Sequence, residues 1–409
     1  MDDDVDKLVE QIRTVASQAN EAGRSKLLKA LREVQPALET PWDLPMRLAG
    51  VHFEISIIKI GQDLKIFRSL TDASSSSTPS ALSPQQIAAM SPCPTASPLL
   101  VSRLARHLAA MHMIAQTGPD EFAANSATRA LATEKSEGTV EIYMLGSGRV
   151  TPVLPEFFKS NGYQDVTSKS QTPFQFAFGT DRTWFEYLGE SAERSKWLQQ
   201  LMLVLGEEGA WYDTAISACG GGGEGFSFEK EIEGFNDRGK TVLVDVAGGF
   251  GQQCAGLIAG LPHLGQQLKG RLVVQDLAST VEIGIRHEGV QVQVRDLFAE
   301  QPVKGARFYY LRNVLHNWPD EECVEILKKL VEAFGEESQI LVDDIVLPDG
   351  GGAVATATNY DWVMMTFMGA RERTAREWGL IFDEAGLRVL RSVVYAPVSM
   401  NAITVLGGK

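Results

Sequence analysis

The chain has 409 residues, a net charge of −14, and 44% hydrophobic and 22% charged side chains, enough for two or three domains that each bury a core. Its 52 acidic against 38 basic residues repel phosphate backbones, so nucleic-acid binding would need a local basic block, and no such block occurs. The acidic Met-Asp-Asp-Asp-Val-Asp-Lys and the lack of any apolar run near about 20 residues argue against a basic presequence and a membrane span, and predict a cytoplasmic protein.

Residues 4–37 place Val5, Leu8, Ile12, Val15, Leu27, Leu28, Leu31 and Val34 at helical spacing, which predicts two helices ended by Pro36 and Pro41. The segment 44–70 is apolar and helix-compatible, and the Ser-Ser-Ser-Ser-Thr-Pro run at 74–79 has nothing to bury and predicts a surface loop. Ser83-Pro84-Gln85-Gln86 has the form of a helix start. A further helix is expected over 98–113, with Leu100, Leu104, Leu108 and Met111 on one stripe. The turn Gly118-Pro119-Asp120 and the extended Glu121-Phe122-Ala123 follow. Helix, helix and a short β-wing form a winged-helix pattern. The basic residues here are mainly Arg103 and Arg106, so the electrostatic term that dominates DNA affinity is missing.

Residues 155–215 are helical and rich in aromatics, among them Phe157, Phe158, Phe174, Phe176, Trp184, Phe185 and Trp211. Such density serves a core or a wall over a flat apolar ligand. Glycines at 220–223 and 225 predict a flexible linker. From 240 onward the pattern is strand, turn, helix, repeated. Apolar runs at 241–246, 271–276, 291–296, 307–311 and 339–344 predict buried parallel strands, and 321–334 is an amphipathic helix. This alternation implies a Rossmann-like, doubly wound α/β sheet, with ligands at the carboxyl ends of its strands.

The first strand turns into its helix through Asp245-Val-Ala-Gly248-Gly249-Phe-Gly251, where glycines permit close backbone approach and positive φ. Glycine spacing and Asp245 fit a dinucleotide fingerprint poorly. Acids recur at the strand ends. Asp276 is placed to accept hydrogen bonds from ribose hydroxyls, and Asp296-Leu297-Phe298 to hold an adenine ring. Singly, each strand-end Asp is a turn or helix-cap residue; three on one edge point to a ligand. Cys93, Cys219, Cys254 and Cys323 show neither metal spacing nor disulfide density, so buried structural thiols are expected.

At this point the chain resembles the class I S-adenosylmethionine-dependent O-methyltransferases of the plant caffeate and flavonoid type, with fungal polyketide O-methyltransferases closest in texture. The matching stretches are Val-Asp-Val-Ala-Gly-Gly-Phe-Gly at 244–251, Gln-Asp-Leu at 275–277, Arg-Asp-Leu-Phe at 295–298, Tyr-Tyr-Leu-Arg-Asn-Val-Leu-His-Asn-Trp-Pro-Asp at 309–320, Asp-Ile-Val-Leu-Pro at 344–348 and Gly-Ala-Arg-Glu-Arg-Thr at 369–374. The resemblance implies S-adenosyl-L-methionine as cofactor, held by Asp245, Gly248, Gly249, Gly251, Asp276, Leu277, Asp296, Leu297, Phe298 and Arg312. It implies His316 as general base toward a substrate hydroxyl, flanked by Asp344 and Glu372, and no metal. Phe174, Phe185, Met202, Trp362, Met365 and Phe367 resemble positions that enclose an aromatic or polyketide acceptor.

The implied layout is a winged-helix dimerisation domain over 1–150, a helical substrate wall with its linker over 151–225, and a cofactor-binding domain over 226–409, in a homodimer. Three departures stand out. Ala247 replaces a glycine, which suits a negative φ. Asp344 replaces the more usual Glu and reaches one methylene less far toward His316, and Asn317 stands where Asp is common. A methyltransferase-fold pericyclase or cyclase that keeps the cofactor without methyl transfer is the competing reading, and retention of His316, Asp344 and Glu372 argues for transfer.

Overall fold

The computed structural model describes residues 2–75, 80–206, 211–212, 225–235, 239–284 and 286–409. Contacts gather the chain into two units: Met1–Val34, Glu156–Trp184 and Glu208–Lys409 in the first, Gln35–Pro155 and Phe185–Glu207 in the second. The segment 151–225 is thus shared between them. The glycines at 220–223, Cys219 and positions 76–79 of the serine run lie outside the described residues.

The N-terminal helices span Asp2–Gln18 and Glu21–Leu38, and the second contains Pro36 where a stop was expected. The run over 44–70 is two helices, Asp43–Asp63 and Ile66–Ser74, because Lys65 adopts φ 56 and breaks the turn. That break places Ile66, Phe67 and Leu70 in a core with Leu82, Ile87, Val101, Leu104, Leu108 and Phe122. Ser83 forms a capping box with Gln86 at the start of Pro84–Met90, and Pro98–Ala110 ends three residues before the expected stop. Strands β1 (Ala115–Gly118) and β2 (Glu121–Ala123) then form an antiparallel wing, to which Leu82 bridges through Phe122. Farther along this unit, the helix Ala192–Leu205 meets Glu134–Leu145 closely; a side chain at Gly138 would overlap Gln200.

In the first unit, β3 (Leu243–Val246), β4 (Leu272–Asp276), β5 (Val290–Val294), β6 (Phe308–Arg312) and β7 (Gln339–Leu347) pair in parallel. The two-residue β8 (Arg373–Thr374) pairs with the end of β7. Two further strands, β9 (Leu387–Ala396) and β10 (Asn401–Gly408), join antiparallel, giving the order β5-β4-β3-β6-β7-β10-β9. Strand order reverses beside β3, which opens a crevice at its carboxyl end. One face packs Val244, Val246, Tyr309, Leu311 and Val342 against the helices Asp320–Val331 and Ala375–Glu384, through Ile326, Leu330, Trp378 and Phe382. The other packs Leu243, Val274, Phe308, Tyr310 and Leu341 against Trp211, Phe226, Phe228 and Leu257.

Asp343, 0% exposed on β7, is the polar centre of that second face. Its Oδ2 accepts from the Tyr310 hydroxyl at 2.6 Å and from Arg312 Nη1 at 3.2 Å, and its Oδ1 accepts from the Tyr395 hydroxyl at 2.8 Å. Trp211 stacks on Tyr310 with ring centroids 4.1 Å apart. Cys254 and Cys323 are buried, as expected, but Cys93 is exposed. Replacing Tyr395 by Phe removes one donor from a buried carboxylate. It is expected to lower stability by about 1–3 kcal/mol in urea unfolding; an unchanged midpoint would refute a structural role for this bond.

Candidate functional site

The turn after β3 explains its glycines one by one. Gly249 and Gly251 adopt φ 57 and 77, the region where glycine carries no Cβ penalty. Gly248 is needed for space: a Cβ there would lie 2.6 and 2.8 Å from the two carboxylate oxygens of Asp245. Ala247, expected at negative φ, instead has φ 53. An L-residue held there costs on the order of 1 kcal/mol, which the surrounding turn sustains. Asp245 is buried beneath this turn, and burial, with Asp276 nearby, pushes its carboxyl up to about 7.

Asp276 ties the first two strand ends together. Its Oδ2 accepts from the Gly249 amide at 2.9 Å and its Oδ1 from the Leu277 amide at 2.8 Å. Burial raises its carboxyl above the ordinary value, against the pull of those amides. Asp296, just past β5, accepts from the Phe298 amide at 2.9 Å, the local turn bond common to Asp. Leu277 is exposed, Leu297 and Phe298 are half-buried, and Phe298 meets Trp318 edge-on at 4.8 Å. The three acids therefore stand at the ends of the adjacent strands β3, β4 and β5. Arg312, at the end of β6, is paired with Asp343. Asp343 went unnoticed in the sequence because its partners are 31–52 residues away.

His316 lies in a short 3₁₀ turn, Leu315–Asn317, after β6, and is 5% exposed. Its Nδ1–H donates to Oε1 of Glu372 at 2.8 Å; among the described residues, Nε2 has no hydrogen-bond partner. Several bonds hold the ring in place. Asn317 Nδ2 donates to the Asn313 carbonyl at 2.8 Å, a bond an Asp could not make, and the Cys323 thiol donates to the Leu315 carbonyl at 3.1 Å. Arg373, fully buried, donates through Nη2 to the Trp318 carbonyl at 2.7 Å and to Asp320 Oδ1 at 2.6 Å. Asp361 accepts from the Glu372 amide at 2.9 Å. Asp320, Asp361 and Arg373 are further supports; Asp320 and Arg373 lie within matched stretches, and Asp361 lies on the helix Ala355–Met368.

Asp344 is 1% exposed and makes no hydrogen bond to the imidazole; both of its oxygens lack partners. Burial alone would lower the His316 value, but the charges of Glu372 and Asp344 outweigh it and hold the ring at about 9. Burial pushes Asp344 up to about 7, with the nearby imidazole opposing the shift.

The expected wall residues divide. Trp362 and Met365 lie one turn apart on the helix Ala355–Met368, exposed and half-buried respectively. Phe174 is fully buried among Phe178, Trp184 and Phe367 and serves as core, with Phe367 beside it. Phe185 and Met202 belong to the second unit, on Trp184–Gly189 and Ala192–Leu205, where the first is exposed and the second half-buried.

Residues 225–388 match a family model described as an O-methyltransferase domain. The chain is 35% identical over 392 residues to a demethylsterigmatocystin 6-O-methyltransferase of Aspergillus parasiticus, covering 96% of this chain and 95% of that protein. A solved structure of LepI in complex with SAM matches with a TM-score of 0.87 at 29% identity, over 100% of this chain and 99% of that one. A solved structure of a pericyclic reaction enzyme matches with a TM-score of 0.85 at 28% identity, over 100% of both chains.

One consequence of the buried acids is measurable as stability. Asp344 binds its proton more tightly in the folded chain, where it titrates at about 7, than at its ordinary 3.8. The folded state therefore holds more protons across that window, and this group's contribution to stability falls as pH rises through it. Asp344→Asn removes the ionisation. The variant should gain stability relative to wild type between about pH 4 and pH 8, read by urea unfolding at a series of pH values; a difference independent of pH would exclude a buried, ionising Asp344.

Proposed function

Since this chain belongs to the S-adenosylmethionine-dependent O-methyltransferases, we propose that it methylates a hydroxyl of an aromatic or polyketide-derived secondary metabolite, with His316 as general base. The observation that carries this reading is an imidazole whose Nδ1 is engaged by Glu372 while Nε2 keeps no protein partner among the described residues. S-adenosylmethionine, when bound, supplies an electrophilic methyl group on a positively charged sulfur. The residues present fit it. The glycine turn keeps side chains away from the strand ends, and the Asp276 carboxylate, which takes the Gly249 and Leu277 amides and the Thr280 hydroxyl, keeps acceptor capacity for a ribose hydroxyl. Gly248, Gly249 and Gly251 would line the cofactor, with Asp245 supporting the turn, Leu277, Asp296, Leu297 and Phe298 around its base, and Arg312 as a cationic donor.

A phenol ionises near pH 10, so little phenoxide exists at neutral pH and a positioned base must take the proton. Nε2 accepts it, and Glu372 fixes the tautomer and stabilises the imidazolium that results. Because its neighbours hold the ring at about 9, the neutral, base-competent form grows as pH rises, and kcat/KM should climb from pH 7 toward about pH 9. Trp362 and Met365 offer apolar surface suited to a planar acceptor. Exposed Leu38 and Phe53 (62%) in the N-terminal helices, and Trp42 (69%) in the turn between them, support a homodimer. No described helix is long and apolar enough to cross a membrane, and a cytoplasmic enzyme with neither nucleic acid nor membrane as partner fits this reading.

The similarity to a pericyclic reaction enzyme favours a second reading, in which the cofactor is held as a fixed charge and no methyl is transferred. Incubation with methyl-labelled cofactor and a panel of phenolic polyketides separates the two. Methyl transfer predicts labelled product and S-adenosylhomocysteine; substrate conversion without either favours the pericyclase. His316→Ala is expected to cut methyl transfer by about a hundredfold or more while leaving cofactor affinity near wild type, and unchanged turnover would remove the base assignment. Asp276→Ala should weaken cofactor binding in calorimetry, and no loss would remove its ribose role.

A further inference from the structure

Beside the His316 imidazole, both oxygens of Asp344 and Oε2 of Glu372 are buried without a hydrogen-bond partner. Glu372 is accounted for by its other oxygen, which holds Nδ1. Asp344 is not. Its chain neighbour Asp343 sits on the same strand, equally buried, yet both of its oxygens are engaged, by three donors in all. Alternation along β7 turns Asp343 toward Tyr310 and Tyr395, and Asp344 toward the opposite face, with Val342 and Val346. A desolvated carboxyl left unpaired costs several kcal/mol, and native proteins pair such groups with protein, water or ligand. Asp344 also makes no hydrogen bond to the ring.

We propose that Asp344 reads the substrate: it hydrogen-bonds a second oxygen, ortho or peri to the hydroxyl that His316 deprotonates, so that the acceptor class is aromatics bearing two adjacent oxygen functions. This rests on the methyl-transfer reading above. An ionised Asp344 accepts from a neighbouring hydroxyl, and a protonated one donates to a neighbouring carbonyl. With burial placing its carboxyl near 7, both forms are available in the neutral range. A carboxyl that merely supported the imidazole electrostatically would affect every acceptor alike. One that reads a second oxygen affects only acceptors that have it.

The test compares kcat/KM for 1-naphthol with those for 1,8-dihydroxynaphthalene and 2,3-dihydroxynaphthalene, using wild type, Asp344→Ala and Asp344→Asn. Wild type should favour at least one diol by about tenfold or more beyond the twofold from two equivalent hydroxyls, as one satisfied buried hydrogen bond implies. In Asp344→Ala that preference should collapse toward the twofold, and Asp344→Asn, which keeps a donor and an acceptor, should restore part of it. Cofactor affinity by calorimetry reports whether each variant is folded, and if Asp344→Ala is not, the reduced preference of Asp344→Asn carries the test. A wild type without preference, or an Asp344→Ala enzyme slowed equally on all three acceptors, overturns the proposal. If wild type releases no S-adenosylhomocysteine with any acceptor, including the phenolic polyketides, the methyl-transfer reading falls and takes this one with it.

Discussion

The hydrogen bond from His316 to Glu372, 2.8 Å long and shielded from solvent, joins residues 56 positions apart, and much of the surrounding architecture serves to hold its two ends still. Neither side chain could be fixed by its own element, since His316 sits in a single 3₁₀ turn and Glu372 precedes a two-residue strand. The fixing comes from outside. Arg373 reaches across to Asp320 and to the Trp318 carbonyl, so one guanidinium braces the chain on both sides of the bond. Asp361 anchors the Glu372 amide from the neighbouring helix. A displacement of about 1 Å in such a geometry is worth on the order of a hundredfold in rate, which gives these contacts a purpose beyond their small net contribution to stability.

The same sheet separates two kinds of buried charge. On one face, Asp343 is compensated by Arg312 and two tyrosines, which lowers the cost of burying it. On the other, both oxygens of Asp344 are left without a partner beside the imidazole, the kind of setting that shifts titration behaviour at functional sites. A single strand, β7, therefore carries adjacent acids in opposite settings, one hydrogen-bonded and one without partners, kept apart by the alternation of its side chains. The excess negative charge of the whole chain suits a cationic cofactor, yet the local acids at the ends of β3 and β4 are better placed to matter, because burial preserves their fields from screening.

The parallel core was legible because β3, β4, β6 and β7 are largely buried and built around apolar runs, while β5 alternates valine with glutamine and lies partly open to solvent. By contrast, β9 leaves Val389, Leu390 and Val394 exposed and buries only Leu387 and Tyr395, so it gives no buried run. The break at Lys65 could not be read because its cause is a left-handed residue with no glycine to announce it, and the positive φ of Ala247 was hidden for the same reason. Motifs located the imidazole and the strand-end acids. They could not reveal Asp343 as a hub or Phe174 as core, since both identities depend on residues from distant segments meeting in space.

The order of strands has a consequence for how this molecule is made. β10, the latest strand in chain order, does not lie at the rim but between β7 and β9. As the chain emerges from the ribosome, β7 has its partner β6 on one side and an open edge on the other. β9 cannot close that edge because its place is one strand farther out. Until residues 401–408 arrive and insert, the nine-residue β7 presents unpaired amides and carbonyls, the kind of edge that recruits other chains. Synthesis of this protein thus has a vulnerable interval that ends only when β10 is in place, and holdase chaperones would find β7 exposed during it.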